Sequence, residues 1–151
     1  MKTLLLAALL SSLSFVLSGC GESHANTVAH QEPTPAATYK AGHGVQLTAT
    51  ARQFVGLQTG EVASHTFPKA TDVPSIPAEA LLRTIKGDFV YVANGEWFLR
   101  TPVTIGATDA THVEIKDGLY EGDTIVVKGV RGLSLAEIQA LNGGVGCADG
   151  H

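Results

Sequence analysis

Asp88-Phe89-Val90-Tyr91-Val92-Ala93-Asn94-Gly95-Glu96-Trp97-Phe98-Leu99-Arg100-Thr101 is the stretch whose reading decides the fold. Two runs rich in aromatic and β-branched residues flank Asn94-Gly95. Asn-Gly in that setting marks a two-residue hairpin loop, because both residues tolerate the positive φ of a type I′ turn. Such a loop predicts Ala93 opposite Glu96, Val92 opposite Trp97, Tyr91 opposite Phe98 and Val90 opposite Leu99. Val90, Val92, Trp97 and Leu99 then share one face, the expected core side. Phe89, Tyr91, Phe98 and Arg100 share the other. That face is too aromatic for plain solvent, so another strand, the chain ends or a partner is expected to cover part of it. A lone hairpin is marginal in water, so the remaining strands must build onto this one.

Working outward, Pro102 disturbs the second strand but leaves Val103-Thr104-Ile105 able to continue it, and Gly106 to Thr111 reads as a loop. His112-Val113-Glu114-Ile115-Lys116 alternates as a strand. Gly122 suits the third position of a tight turn before the buried strand Ile125 to Val127. Apolar residues at 133, 135, 138 and 141 predict a short C-terminal helix ending at Asn142-Gly143. Upstream, Val45 to Thr48 alternates, Ala49 to Val55 makes one or two helical turns stopped by Gly56, and Leu57 to Val62 returns to strand. Ala63 to Asp72 reads as irregular, with Pro68 breaking any ladder. The expectation is a mainly β domain over residues 45–142, a small barrel or sandwich with one short C-terminal helix.

The first residues stand apart. Lys2 precedes an apolar run from Leu4 to Val16, too short and wrongly flanked for a spanning helix. Leu17-Ser18-Gly19-Cys20 follows and resembles a bacterial lipobox. The resemblance implies a signal peptide over residues 1–19 and a mature N-terminus at a lipid-bearing Cys20. Residue 21 is Gly rather than the Asp that tends to retain lipoproteins in the inner membrane, which points to the outer membrane. Residues 20–44 are polar, small and without apolar period, and read as a flexible tether. Residues 143–151 read as a loose tail. Besides Cys20 only Cys147 remains, so an internal disulfide is not expected.

The run from Val73 to Gly129 resembles the C-terminal part of periplasmic adaptor subunits (membrane fusion proteins) of RND efflux pumps, heavy-metal branch. The matching pieces are Ile76-Pro77-Ala78-Glu79-Ala80-Leu81, Phe89-Val90-Tyr91-Val92, Pro102-Val103-Thr104-Ile105-Gly106 and Gly118-Leu119-Tyr120-Glu121-Gly122-Asp123-Thr124-Ile125-Val126-Val127-Lys128-Gly129. The family often has proline where this chain has Glu121. Val45 to Val62 resembles the segment with which many metal-branch adaptors begin. In full-length relatives a lipoyl-like domain, a long α-hairpin and a second barrel lie between these stretches; here Ala63 to Asp72 takes their place. The resemblance implies the membrane-proximal β-domain, formed where the family's terminal segments meet, and implies docking on an RND inner-membrane pump or on a full-length adaptor. The expected role is that of an adaptor, a modulator or a remnant that has lost its middle.

Composition narrows the chemistry. The chain has 151 residues, a net charge of −4 and a pI near 5.8, and its Lys and Arg are scattered, which argues against nucleic acid. No Gly-x-Ser-x-Gly, His-Glu-x-x-His or phosphate loop is present, so no enzyme and no cofactor is expected. The six His invite a metal reading. His24, His30 and His43 lie in the tether and read as polar spacing. His65 and His112 read as surface residues, Trp97 as core, and no metal site is assigned. The alternative function is a small periplasmic metal-binding or metal-buffering lipoprotein, using Cys147, Asp149 and His151 of the tail for Zn(II) or Cu(I).

Overall fold

The computed structural model describes residues 34–143. The expected signal peptide, Cys20, His24, His30, Cys147 and His151 lie outside the described residues. The elements run β1 (Ala37–Lys40), β2 (Gly44–Leu47), α1 (Ala49–Phe54), β3 (Gln58–Glu61), β4 (Ala63–Phe67), β5 (Ala70–Pro77), a 3₁₀ turn (Ala78–Ala80), β6 (Leu82–Thr84), β7 (Gly87–Asn94), β8 (Trp97–Pro102), β9 (Thr104–Thr108), β10 (His112–Asp117), β11 (Thr124–Lys128) and α2 (Val130–Leu141). They form a seven-stranded sheet ordered β1-β2-β8-β7-β11-β3, with β6 also on β7, and a four-stranded sheet ordered β4-β5-β10-β9. The mainly β expectation holds. The barrel expectation does not: two open sheets are present, and the described residues contain no closed barrel.

The central hairpin is β7–β8, and its register differs from the Asn-Gly reading. Asn94 pairs with Trp97, Ala93 with Phe98, Val92 with Leu99 and Tyr91 with Arg100. The loop is therefore Gly95-Glu96, not Asn94-Gly95. Gly95 has φ 60°, while Glu96 is not among the positive-φ residues. That places glycine at the first central position, the pattern of a type II′ turn, whose twist suits a hairpin as well as type I′ does. Each partner slips by two residues, an even number, so the two face sets survive unchanged.

Two cores lie on the two sides of this hairpin. One holds Val62, Ile76, Ala80, Val90, Val113, Ile115, Leu119 and Ile125, drawn from both sheets. The other holds Val45, Leu47, Tyr91, Phe98, Val126, Val130 and Leu133, beneath α2. The expected core face holds at Val90, which is 0% exposed, but the aromatic face is buried as well. Tyr91 and Phe98 are 0% and 2% exposed, whereas Trp97 is half-buried and Leu99 is 38% exposed. The chain's own C-terminal helix covers the aromatic face.

The ends close on the hairpin as the resemblance implies. Val45 pairs with Phe98 and Gln46 with Trp97, while β3 reaches the hairpin through β11, whose Ile125 pairs with Val92. Arg52 of α1 donates from Nη2 to the Glu96 carbonyl at 2.8 Å, and its guanidinium lies 5.2 Å from the Phe98 ring centroid.

Four local readings change. Residues 37–40, expected in the tether, form β1 on β2, because Ala37 and Tyr39 turn inward on a two-residue period. Residues 63–72 are not irregular: β4 and β5 make a hairpin whose turn holds Pro68-Lys69, where proline's fixed φ fits and no ladder donor is needed. β9 extends to Thr108, into the expected loop. α2 begins at Val130, earlier than expected. Gly132 disfavours helix by propensity but lets α2 approach α1: a Cβ there would sit 2.9 Å from Val55 Cβ.

Candidate functional site

Two surfaces carry the functional question. The first is the helix layer. α2 buries Val130, Leu133 and Glu137, a stripe of helical period, and leaves Leu135, Ile138 and Leu141 58%, 48% and 49% exposed. Of the apolar positions that predict the helix, only Leu133 is core. Phe54, at the end of α1, is 91% exposed. Between α1, α2 and the start of β1 runs an apolar groove of about 560 Å³, lined by Ala37, Leu47, Phe54, Val55, Leu135 and Ala136 among others. Exposed apolar groups also lie off the helices, at Ile85, Leu99 and Tyr120, but the hairpin's Tyr91 and Phe98 are buried and unavailable to a partner.

The buried side of the same helix carries a polar lock. Tyr91 Oη donates to Glu137 Oε2 at 2.7 Å, and Arg100 Nε lies 3.5 Å from the same oxygen. Burial, reinforced by the carboxylate that accepts its proton, holds the Tyr91 phenol well above its usual range. Arg100 also lies 5.3 Å from the Phe89 ring centroid, so its stem and head cover the rest of that face.

The second surface is a cluster that the sequence reading missed. His65 of β4, His112 at the start of β10 and Asp109 in the β9–β10 turn offer ligand atoms that all lie within 4.8 Å of one another. His65 Nε2 is 2.9 Å from Asp109 Oδ2, and the two imidazoles stack with centroids 4.2 Å apart at 16°. The other oxygen, Asp109 Oδ1, accepts from the backbone N–H groups of Thr111 and His112 at 2.7 Å each. Those two N–H groups, then His65, hold the Asp109 carboxyl well below the usual carboxylate range. His112 Nδ1 lies 2.9 Å from Thr111 Oγ1, which leaves Nε2 as its outward nitrogen. β4 and β9 are opposite edges of the four-stranded sheet. No spacing rule joins residues 65, 109 and 112; with residues 63–72 read as loop, the edge-to-edge meeting was invisible. His43, expected as tether spacing, lies 6.0 Å from the Trp97 ring centroid.

Residues 75–130 match the family model described as the CzcB C-terminal circularly permuted SH3-like domain. The chain also resembles a solved 180-residue piece of SilB from Cupriavidus metallidurans CH34, encompassing its N-terminal metal-binding site and membrane-proximal domain. Identity is 36%, the TM-score is 0.42, and the match covers 51% of this chain and 43% of that one, so the chain spans less than half of the piece it matches. No curated protein matches the chain.

Proposed function

We propose, from the match of residues 75–130 to the CzcB C-terminal SH3-like domain model, that this protein is a lipid-anchored periplasmic component of an RND-type, heavy-metal efflux system, acting by docking on the inner-membrane pump. The family match is the observation that carries this reading. The fold supports it, because segments 44–47 and 58–61 close on the hairpin as the terminal segments of an adaptor do. Docking uses the exposed helix layer: Phe54 and Leu135 line its apolar groove, and Ile138 and Leu141 add exposed apolar surface on α2. Burial of such side chains against a partner contributes roughly 25 cal/mol per Å² of apolar surface before the costs of association. The aromatic face of the hairpin does not serve, because Tyr91 and Phe98 are buried with Val130 and Leu133 of α2.

The reading also includes an anchor. The lipobox Leu17-Ser18-Gly19-Cys20 makes Cys20 the lipid-bearing residue, and Gly21 favours the outer membrane. Growth with a labelled fatty acid tests it: the wild-type chain takes up label and Cys20→Ser does not. Label retained in Cys20→Ser would remove the anchor from the account. The docking test is co-purification with the pump. Leu135→Glu combined with Ile138→Glu abolishes recovery of the pump while the circular dichroism of the domain is unchanged; full recovery would refute docking through α2.

A further inference from the structure

We infer that His65, Asp109 and His112 form a binding site for one divalent transition-metal ion of the Zn(II) class. The inference stands on the geometry of the four-stranded sheet and does not rest on the docking proposal. Two imidazoles and one carboxylate are a borderline donor set. They suit Zn(II), and also Co(II), Ni(II) or Cu(II); without sulfur they do not select Cu(I), and with imidazole they do not suit Mg(II) or Ca(II).

The geometry is close to what an ion needs. Tetrahedral coordination at roughly 2.0–2.1 Å places ligand atoms about 3.3 Å apart. His65 Nε2 and Asp109 Oδ2 are already 2.9 Å apart, and every pair in the cluster lies within 4.8 Å. The stacked rings cannot both aim an in-plane lone pair at one ion, so binding turns one imidazole out of the stack. Side-chain rotation suffices, because the sheet holds the backbone of His65 and His112, and Asp109 N–H bonds the His112 carbonyl across the turn. The carboxylate is oriented in advance: Asp109 Oδ1 is occupied by the N–H groups of Thr111 and His112 and by Thr111 Oγ1 at 3.0 Å, leaving Oδ2 for the ion. His65 is oriented too, with Phe67 edge-on at 4.7 Å. The His65 and Asp109 side chains are 30% and 31% exposed, so the ion can enter and one coordination position stays open to water or an incoming ligand. Three protein ligands with an open fourth position hold an ion that can be exchanged, unlike a closed structural site.

The test is titration of the full chain with Zn(II) by calorimetry and with Co(II) by visible absorption, which reports tetrahedral coordination directly. A variant carrying Cys147→Ser and His151→Ala removes the tail's ligands from consideration. In that background one equivalent of metal binds, and His65→Gln, Asp109→Asn and His112→Gln each weaken binding at least tenfold. Zn(II) also shifts the imidazole NMR resonances of His65 and His112 in the unmutated chain, which keeps the test decisive should a variant fail to fold. Binding that disappears with Cys147→Ser and His151→Ala, or imidazole resonances that stay in place on adding Zn(II), would overturn the inference.

Discussion

The hydroxyl of Tyr91 on β7 donates to the carboxylate of Glu137 on α2 at 2.7 Å, and neither side chain reaches solvent. This bond joins the helix layer to the seven-stranded sheet. It explains how a carboxylate can sit beside Val130 and Leu133 in the buried stripe of the helix while Leu135, Ile138 and Leu141 stay exposed. Arg100 supplies the balancing charge from the neighbouring strand. Removing one partner of such a bond leaves the other desolvated and unpaired. Glu137→Ala is expected to lower stability by about 1–3 kcal/mol in urea denaturation. Tyr91→Phe should cost less than Glu137→Ala, because Glu137 keeps Arg100.

Tyr91 and Phe98 belong to the core between the seven-stranded sheet and α2. Tyr91→Ala or Phe98→Ala is expected to destabilise the domain by ~3–5 kcal/mol, the usual range for emptying a buried aromatic site. Urea midpoints measure the loss. Near-wild-type stability in either variant would mean that the helix does not cover this face.

Alkaline pH probes the same bond. The Tyr91 phenol is held above its usual value of 10.0, first by burial and then by Glu137. The unfolded chain therefore gives up this proton at lower pH than the folded chain. The contribution is full below about pH 10 and declines above it. The wild-type urea midpoint should fall more steeply than that of Tyr91→Phe above about pH 10; parallel curves would contradict the buried, neutral phenol.

Arg52 is the clasp between the first strands and the hairpin turn, through Glu96 O at 2.8 Å, Leu47 O at 3.3 Å and the Phe98 ring. Arg52→Ala should cost about 1–2 kcal/mol. Hydrogen exchange should quicken first in β1 and β2. Faster exchange confined to β9 and β10 instead would show that the clasp lies elsewhere.

Much of the fold was legible because it rests on local chemistry. The Asn94-Gly95 region announces a hairpin even with its register displaced, and the even displacement preserves the faces. Gly122 sits at φ 86° in the turn closed by Asp123 N–H to the Tyr120 carbonyl, as its position suggests. Non-local facts were not legible. That the aromatic face of the hairpin is buried as fully as the Val90 face depends on α2, and the helix period alone did not show that Glu137 goes inward while Leu135, Ile138 and Leu141 stay out. Pro68 looked like a ladder breaker because its place in a turn depends on β4 meeting β5. The sequence hides the cluster of His65, Asp109 and His112 for the same reason: its members converge only when both edges of one sheet are known. Glu121, where the family often has proline, accepts a hydrogen bond from Ser64, a compensation that no local pattern predicts.

The central claim is that this domain meets an inner-membrane pump through its helix layer, and site-specific photo-crosslinking in cells carrying the pump tests it most directly. A photoreactive side chain at Leu135 is expected to capture the pump subunit, while one at Asp117, on the opposite layer, captures none. No capture from Leu135 in a folded, exported chain, or capture only from Asp117, would contradict the account.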